Sequence, residues 1–282
     1  MGPTMLRLIE SSVAAIEQRL VLVAPLHVAR FDAFSNVTAD TAHNRRLVEE
    51  MQRLRGSIYL DEGNIKPHEL TSDGRHRTAE DDLSWHLLMT DQAGHVRSCA
   101  LYFEHENAAT IEDLRLKNCP LVKRADSRDK VKFAVEAEMA RATAEGLRFA
   151  ELGGWAISKE RRGSPEGLMM ALATYGLSRM LGGAIGITTA NVAHSCSSIL
   201  RRFGGAYLEF EGKVIPSYFD PKYNTEIDLL RFDSRHPSPK YAGLIDSVMH
   251  TLASVSVVGG SHAVSVHSIH AGGALARPLC AA

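Results

Sequence analysis

Three features are missing from this sequence: paired cysteines, a surplus of either charge and long apolar runs. The 282 residues include four scattered cysteines and no CxxC pair. This pattern predicts neither a disulfide framework nor a cysteine-ligated metal site, so a reducing, cytoplasmic compartment is expected. No stretch reaches the roughly 18 apolar residues of a membrane span. Charged residues interrupt the apolar stretches near the amino terminus, where no signal peptide is expected.

The near balance of charge, 32 basic against 33 acidic residues, argues against broad, non-specific binding of nucleic acid. One basic segment, residues 115–132, contains interleaved acids. This mixture favours a solvated face or a docking surface for a carrier protein over a nucleic-acid site. The histidines at 250, 262, 267 and 270 have no tight ligand spacing, so no metal site is predicted.

Hydrophobic periodicity and turn residues predict a mixed α/β protein of the α+β kind rather than a doubly wound sheet. We expect an amino-terminal extension over 1–44, a central domain over 45–233 and a carboxyl-terminal extension over 234–282. From about residue 251, two valine-rich segments, 255–258 and 264–267, predict either paired strands or a mobile tail. Predicted strands are 19–26, 148–158, 184–190, 206–211, 226–232 and a hairpin of 83–90 with 96–104; predicted helices are 40–54, 128–146, 165–181 and 192–203.

Residues 151–168, ELGGWAISKERRGSPEGL, predict a strand, then a basic loop, then a helix with Pro165 in its first turn. The unpaired N–H groups and the dipole of a helix amino terminus together favour an anion. Arg161 and Arg162 add positive charge, while Gly163 and Gly167 allow a ligand to approach the backbone. This segment therefore predicts a binding site for a phosphate-bearing cofactor.

The same segment resembles the signature loop of the GCN5-related N-acetyltransferase (GNAT) superfamily, with Arg162-Gly-Ser-Pro-Glu-Gly167 as the overlay. Pro165 stands where the superfamily has a middle glycine and removes one N–H group. The segment from Asn191 to Gly205 resembles a later strand-to-helix unit. The resemblance covers roughly 45–233 and implies a GNAT-like mixed central sheet flanked by helices. It also implies donor-binding residues Trp155, Ile157, Arg161, Arg162, Gly163, Ser164, Gly167 and Asn191.

A narrower resemblance lies upstream, in RGSIYLDEG at 55–63 and in residues 81–97. Both segments are similar to acyl-homoserine-lactone synthases and long-chain N-acyl-amino-acid synthases. Those relatives transfer a fatty acyl group from acyl-carrier protein, or from acyl-CoA, to an amine. Arg55 and Tyr59 would lie one helical turn apart and bind an acceptor carboxylate or the carrier-protein phosphate. The alternative is a packed tyrosine beside a solvated arginine.

Two residues are candidates for the chemistry. The resemblance implies that Glu151, on the strand before the loop, deprotonates the acceptor amine directly or through water; the alternative is a carboxylate in a structural hydrogen bond. His86, on the hairpin, is either a base or substrate contact or a core histidine. Cys196, beside Ser195 at a helix start, raises covalent catalysis as a lesser alternative, because the superfamily mostly transfers its acyl group directly.

The expected function is an N-acyltransferase that moves an acyl group from a phosphopantetheine thioester to the amine of an amino acid or small metabolite. Backbone N–H groups near Glu151–Trp155 would hold the thioester oxygen. The alternative is a non-catalytic GNAT-like module that binds an acyl thioester or a protein partner. Pro165 and the absence of the superfamily's tyrosine on the later helix favour that alternative. No metal, nucleic acid or membrane span is expected.

Overall fold

The computed structural model of the chain describes residues 20–27, 31–193 and 196–260. The helices in these ranges are α1 (Thr41–Asp61), α2 (Pro120–Lys123), α3 (Arg128–Ala144), α4 (Glu166–Met180), α5 (Cys196–Phe203) and α6 (Pro239–Leu252). The strands are β1 (Leu20–Val23), β2 (Val37–Ala39), β3 (Trp85–Thr90), β4 (Val96–His105), β5 (Arg148–Ile157), β6 (Ala184–Asn191), β7 (Ala206–Tyr207), β8 (Glu209–Phe210), β9 (Lys213–Val214), β10 (Tyr218–Asp220), β11 (Thr225–Asp233) and β12 (Ser256–Gly259).

Ten of these strands build one mixed sheet in the order β10-β11-β6-β5-β4-β3-β1-β12-β2, with β7 paired to β11, and β8 and β9 form a separate two-stranded sheet. The predicted mixed α/β fold is confirmed, and β3 and β4 form the predicted hairpin. Three strands outside the predicted central domain at 45–233 belong to the same sheet. One of them, β12, lies between β1 and β2 and is parallel to both. The second half of the predicted terminal strand pair, 264–267, lies outside the described residues.

Helices cover both faces of this sheet. On one face, α4 and α6 pack in a continuous apolar core, in which Gly176 of α4 lies against Val248 and Leu252 of α6. On the other face, α3 covers one half of the sheet and α1 covers the other half. The two layers leave the strands between them buried on both sides.

Helix α1 is longer than predicted, since it continues seven residues beyond 54. The Asp40 carboxylate accepts a hydrogen bond from the His43 amide at 2.9 Å and caps the helix start. Gly56 allows the helix to continue past a neighbouring loop, because a Cβ there would lie 2.6 Å from the Gly74 carbonyl oxygen. The added turns carry Arg55 and Tyr59 to the middle strands of the sheet.

Strands β5 and β6 separate part-way along their length. Their parallel pairing runs from Arg148 and Ala184 to Leu152 and Thr188, and it ends there. On its other edge, β5 carries a bulge between Gly153 and Ala156, where the pairing with β4 shifts. Gly154 occupies this bulge with φ +62°, a backbone conformation that favours glycine. The separated ends form a fork in the middle of the sheet.

Candidate active site

A single large cleft of about 2020 Å³ opens at this fork. Pockets that hold drug-sized ligands measure roughly 300–1,000 Å³, so this cleft has room for a considerably larger molecule. Its lining includes Leu168 and Leu200 from the core under α4 and Leu116 and Ile227 from the core under α3. The cleft therefore connects the two faces of the sheet through the gap between β5 and β6.

The loop between β5 and α4 forms one end of the cleft. The amides of Gly163, Gly167 and Leu168 donate to no acceptor within the described ranges, as expected for the first turn of a helix. Gly163 has φ +78°, and a Cβ there would meet nothing within 4 Å. Pro165 has no N–H group, and the Ser164 hydroxyl accepts from the Glu166 amide at 3.3 Å. The loop therefore presents three unpaired donors but not an unbroken row of them.

Basic side chains of this loop already have acidic neighbours. Arg162 contacts Glu62 with 2.5 Å between Nη2 and Oε1, and Lys159 contacts Asp61 at 3.0 Å. Both acids stand at the carboxyl end of α1, across the mouth of the cleft. The Arg161 guanidinium lies 3.8 Å from Glu166, a longer and weaker contact. An anion entering here would meet Arg161 first and would compete with Glu62 for Arg162.

All eight predicted donor-binding residues line this one cleft. Ile157 lies against Gly167, since a Cβ at Gly167 would be 3.1 Å from the Ile157 Cδ1 atom. Asn191 ends β6, and its side-chain oxygen accepts from the Thr225 hydroxyl at 3.3 Å. The structure thus brings the predicted donor residues together, and their role in binding a donor stays a prediction.

Arg55 and Tyr59 also line the cleft, yet both have partners within the protein. The Arg55 guanidinium is 1% exposed and donates to both oxygens of Asp81, at 3.0 and 2.8 Å. Burial alone would raise the pKa of Asp81, but the hydrogen bonds and charge of Arg55 lower that pKa to about 2. The Tyr59 hydroxyl donates to the Trp155 carbonyl at 3.1 Å. Arg55 is therefore a buried ion-pair partner and not a solvated arginine.

Glu151 is buried behind the fork, where three groups donate to its carboxylate. These donors are the Arg115 amide at 2.7 Å, the Leu116 amide at 3.0 Å and His105 Nε2 at 3.0 Å. The arrangement matches the structural hydrogen bond that the sequence left as an alternative. Glu151 still lines the cleft, so a proton-accepting role stays a prediction.

His86 lies on β3 and does not line the cleft. Its Nε2 atom is 2.7 Å from the Asp81 carbonyl oxygen, and its Nδ1 atom has no hydrogen-bond partner in the described part of the chain. Burial lowers the pKa of His86, which is consistent with a neutral core histidine. Nothing in its position brings it to a substrate in the cleft.

Cys196 begins α5 and lines the cleft, but burial raises the pKa of its thiol to about 11. The thiol is therefore protonated at neutral pH, which disfavours the covalent alternative, because the thiolate is the nucleophile. Its neighbour Ser195 lies outside the described residues.

Three residues of the cleft, His76, Arg115 and Gly153, were not singled out individually from the sequence, although Arg115 lies in the basic segment 115–132 and Gly153 in the strand before the loop. The His76 side chain lies beside Tyr59, with 5.7 Å between ring centroids, and its Nδ1 atom has no partner among the residues described. Burial, with the charge of Arg55, lowers the pKa of His76 to about 4. Arg115 and Gly153 meet at the fork. Gly153 and its neighbour Gly154 did carry a sequence signal, because glycines inside a strand mark a bulge.

No protein-family model matches the sequence, and a search of curated proteins found no match. Solved structures that are similar to this chain over most of their length include the following two. One is a CoA-dependent acyl-homoserine lactone synthase, BjaI, with SAM and isopentyl-CoA (TM-score 0.54, 12% identity, 85% of this chain and 92% of that chain). The other is a CoA-dependent acyl-homoserine lactone synthase, MesI (TM-score 0.50, 13% identity, 85% and 98%). In the described ranges, no helix is long and apolar enough to cross a bilayer. The chain therefore has the GNAT-like mixed α/β fold of these acyl-homoserine lactone synthases.

Proposed function

We propose that the protein is an N-acyltransferase that moves an acyl group from a phosphopantetheine thioester to an amine. The observation that carries this proposal is the fork between β5 and β6, where one cleft extends from the basic loop before α4 to the apolar core under α3. A long, thin donor threaded through the fork would place its two ends in these two environments. The fold that the chain shares with CoA-dependent acyl-homoserine lactone synthases supports this use of the fork.

The donor's phosphates would bind at the start of α4. The amides of Gly163, Gly167 and Leu168 would donate to phosphate oxygens, and Arg161 would supply positive charge. The pantetheine arm would follow the unpaired edge of β5 beyond Leu152. Either acyl-CoA or acyl-carrier protein satisfies this chemistry, and we favour acyl-CoA because the structurally similar synthases are CoA-dependent. Arg162 would then have to leave Glu62 to supply enough charge for a diphosphate.

The reaction would be direct attack of the amine nitrogen on the thioester carbonyl carbon. A C–N bond forms, the C–S bond breaks, and the proton that the amine nitrogen loses ends on the leaving sulfur, which departs as a thiol. Backbone N–H groups at the Gly154 bulge would stabilise the negative charge on the carbonyl oxygen. His76, neutral at pH 7, would accept a hydrogen bond from the amine. We assign Glu151 to holding the Arg115 segment, because three donors already occupy its carboxylate.

The alternative is a non-catalytic module that binds a thioester. The missing N–H of Pro165 and the Glu62–Arg162 contact favour it, because both weaken the donor site. The two functions differ in turnover. The protein is mixed with acetyl-, octanoyl- or palmitoyl-CoA and a panel of amines, and free thiol is measured.

If the protein is an N-acyltransferase, thiol release depends on the amine. Arg161→Ala is expected to raise the donor KM about 10-fold, because one charged hydrogen bond to the donor is lost. Arg45→Ala, at an exposed position of α1 outside the cleft, serves as the control and is expected to change nothing. Donor binding without thiol release across the panel would favour the non-catalytic module. An absence of donor binding would refute both functions.

A further inference from the structure

The side chain of Arg115 occupies the space that Gly153 leaves empty. A Cβ atom at Gly153 would lie 2.6 Å from Nη1 of Arg115, closer than non-bonded atoms approach. Gly153 is the first residue of β5 after the pairing with β6 ends, and it precedes the bulge at Gly154. The guanidinium therefore lies directly beside the point where the proposed reaction takes place.

This guanidinium is poorly compensated. Its nearest carboxylate is Glu80, with 4.0 Å between Nε and Oε2, and its side-chain nitrogens donate no hydrogen bond within the described ranges. The Arg55 guanidinium, by contrast, has two short hydrogen bonds to Asp81 and is excluded from solvent. Arg115 is 27% exposed and lines the cleft. Its guanidinium N–H groups therefore remain available, and their planar, two-pronged arrangement suits a planar anion such as a carboxylate.

The backbone of Arg115 is held in place by the strand beneath it. Glu151 accepts from the amides of Arg115 and Leu116, and His105 Nε2 lies 3.0 Å from the same carboxylate. These contacts fix the start of a short 3-10 turn, Arg115–Asn118, onto β5. Because the backbone of Arg115 is anchored, binding an anion costs less conformational entropy than it would for an arginine on a mobile segment.

We propose that Arg115 binds the carboxylate of the acceptor, so that the acceptor is an amino acid rather than a simple amine. This inference rests on the proposed acyl transfer. In an α-amino acid one carbon separates the carboxylate from the amine. A carboxylate held by Arg115 over Gly153 would therefore bring the amine to the thioester carbonyl at the neighbouring Gly154. Arg55 does not serve this purpose, because Asp81 occupies its guanidinium.

The test compares amino acids with the amines that lack only the carboxylate. The pairs are L-phenylalanine with 2-phenylethylamine and L-leucine with 3-methylbutylamine, with octanoyl-CoA as donor. The wild-type protein is expected to prefer the amino acid in kcat/KM by about 10- to 100-fold, the range for a hydrogen bond to a charged group. Arg115→Ala is expected to abolish this preference by raising the amino-acid KM, with the amine's kcat/KM and the donor KM unchanged within about 2-fold.

Two further variants separate binding from folding. Arg115→Lys keeps the charge but not the two-pronged geometry, so it is expected to recover only part of the preference. Lys117→Ala, on the same turn, is the matched control and is expected to behave as wild type. Circular dichroism and thermal melting establish that each variant is folded.

Several results would overturn the inference. It fails if wild type has the same kcat/KM for the amino acid and the matched amine. It also fails if Arg115→Ala lowers kcat/KM for both by the same factor, or if that variant raises only the donor KM. If the wild-type protein turns over no amine, the proposed function fails. The role of Arg115 is then tested separately by measuring L-phenylalanine binding by calorimetry in the presence of CoA. If L-phenylalanine binds to wild type and to Lys117→Ala but not to Arg115→Ala, the carboxylate site is supported. If both variants bind it as wild type does, or if wild type does not bind it, the site is refuted.

Discussion

Replacing Glu151 by glutamine distinguishes a positioning carboxylate from a catalytic base. The glutamine amide keeps one acceptor oxygen for either the Arg115 or the Leu116 amide, and it turns an NH2 group toward the other. One charged hydrogen bond is lost and a buried donor is left unpaired, which together cost about 3 kcal/mol. For a chain of this size the melting temperature should fall by roughly 6–12 °C.

The kinetic consequence follows from the same contacts. A loosened Arg115 segment should raise the KM for a carboxylate-bearing acceptor while leaving kcat within about 3-fold, since in the proposed mechanism Glu151 positions Arg115 and carries no reacting proton. The assays are thermal unfolding by circular dichroism and steady-state kinetics with the acceptor varied. Glu226→Gln, at an exposed position of β11, controls for the substitution itself. The reasoning is refuted if Glu151→Gln melts like wild type and loses about 100-fold or more in kcat, as expected for a general base.

Three other predictions concern the cleft. Glu62→Gln should free Arg162 and lower the donor KM by about 2- to 5-fold, since an exposed ion pair is worth at most about 1 kcal/mol; an unchanged KM in donor titrations would show that Arg162 does not meet the donor. Gly167→Ala should raise the donor KM, because its Cβ would stand 3.1 Å from Ile157 and beside the donor amides, with unfolding curves as the check on folding. Burial and the charge of Arg55 favour the neutral form of His76 and lower its pKa from 6.5 to about 4. The stability it contributes is complete above pH 6.5 and declines as pH falls toward 4, so His76→Asn should flatten urea-derived stability over that window.

Local sequence signals predicted the elements that depend on neighbouring residues. The hairpin of β3 and β4 was found because Asp91 and Gly94 mark its turn, and the Asp91 backbone does pair with His95 across that turn. Helix α4 was found because Pro165 and two glycines mark its ends. The strand, basic loop and helix from β5 to α4 were predicted because all of their signals lie within 18 consecutive positions, and the loop's role in binding a donor stays a prediction.

Features that depend on distant contacts were not predicted. Strand β12 pairs with β1, more than 230 residues away, and no local pattern specifies a parallel partner at that distance. The contact of Arg115 with Gly153 joins an irregular segment to a strand, so neither residue's periodicity reveals it. Arg55 was predicted to be a solvated arginine or a ligand contact because its buried partner, Asp81, lies in a loop 26 residues later.

The central claim is that an acyl group passes from a thioester to an amine in this cleft. The most direct measurement uses octanoyl-CoA with a ¹³C-labelled acyl group, a panel of L-amino acids, and mass spectrometry of all products. The account predicts label in an N-octanoyl amino acid, formed in equal amount to free CoA. Label that appears only in octanoic acid, or that stays in octanoyl-CoA while the protein binds it, would contradict the account.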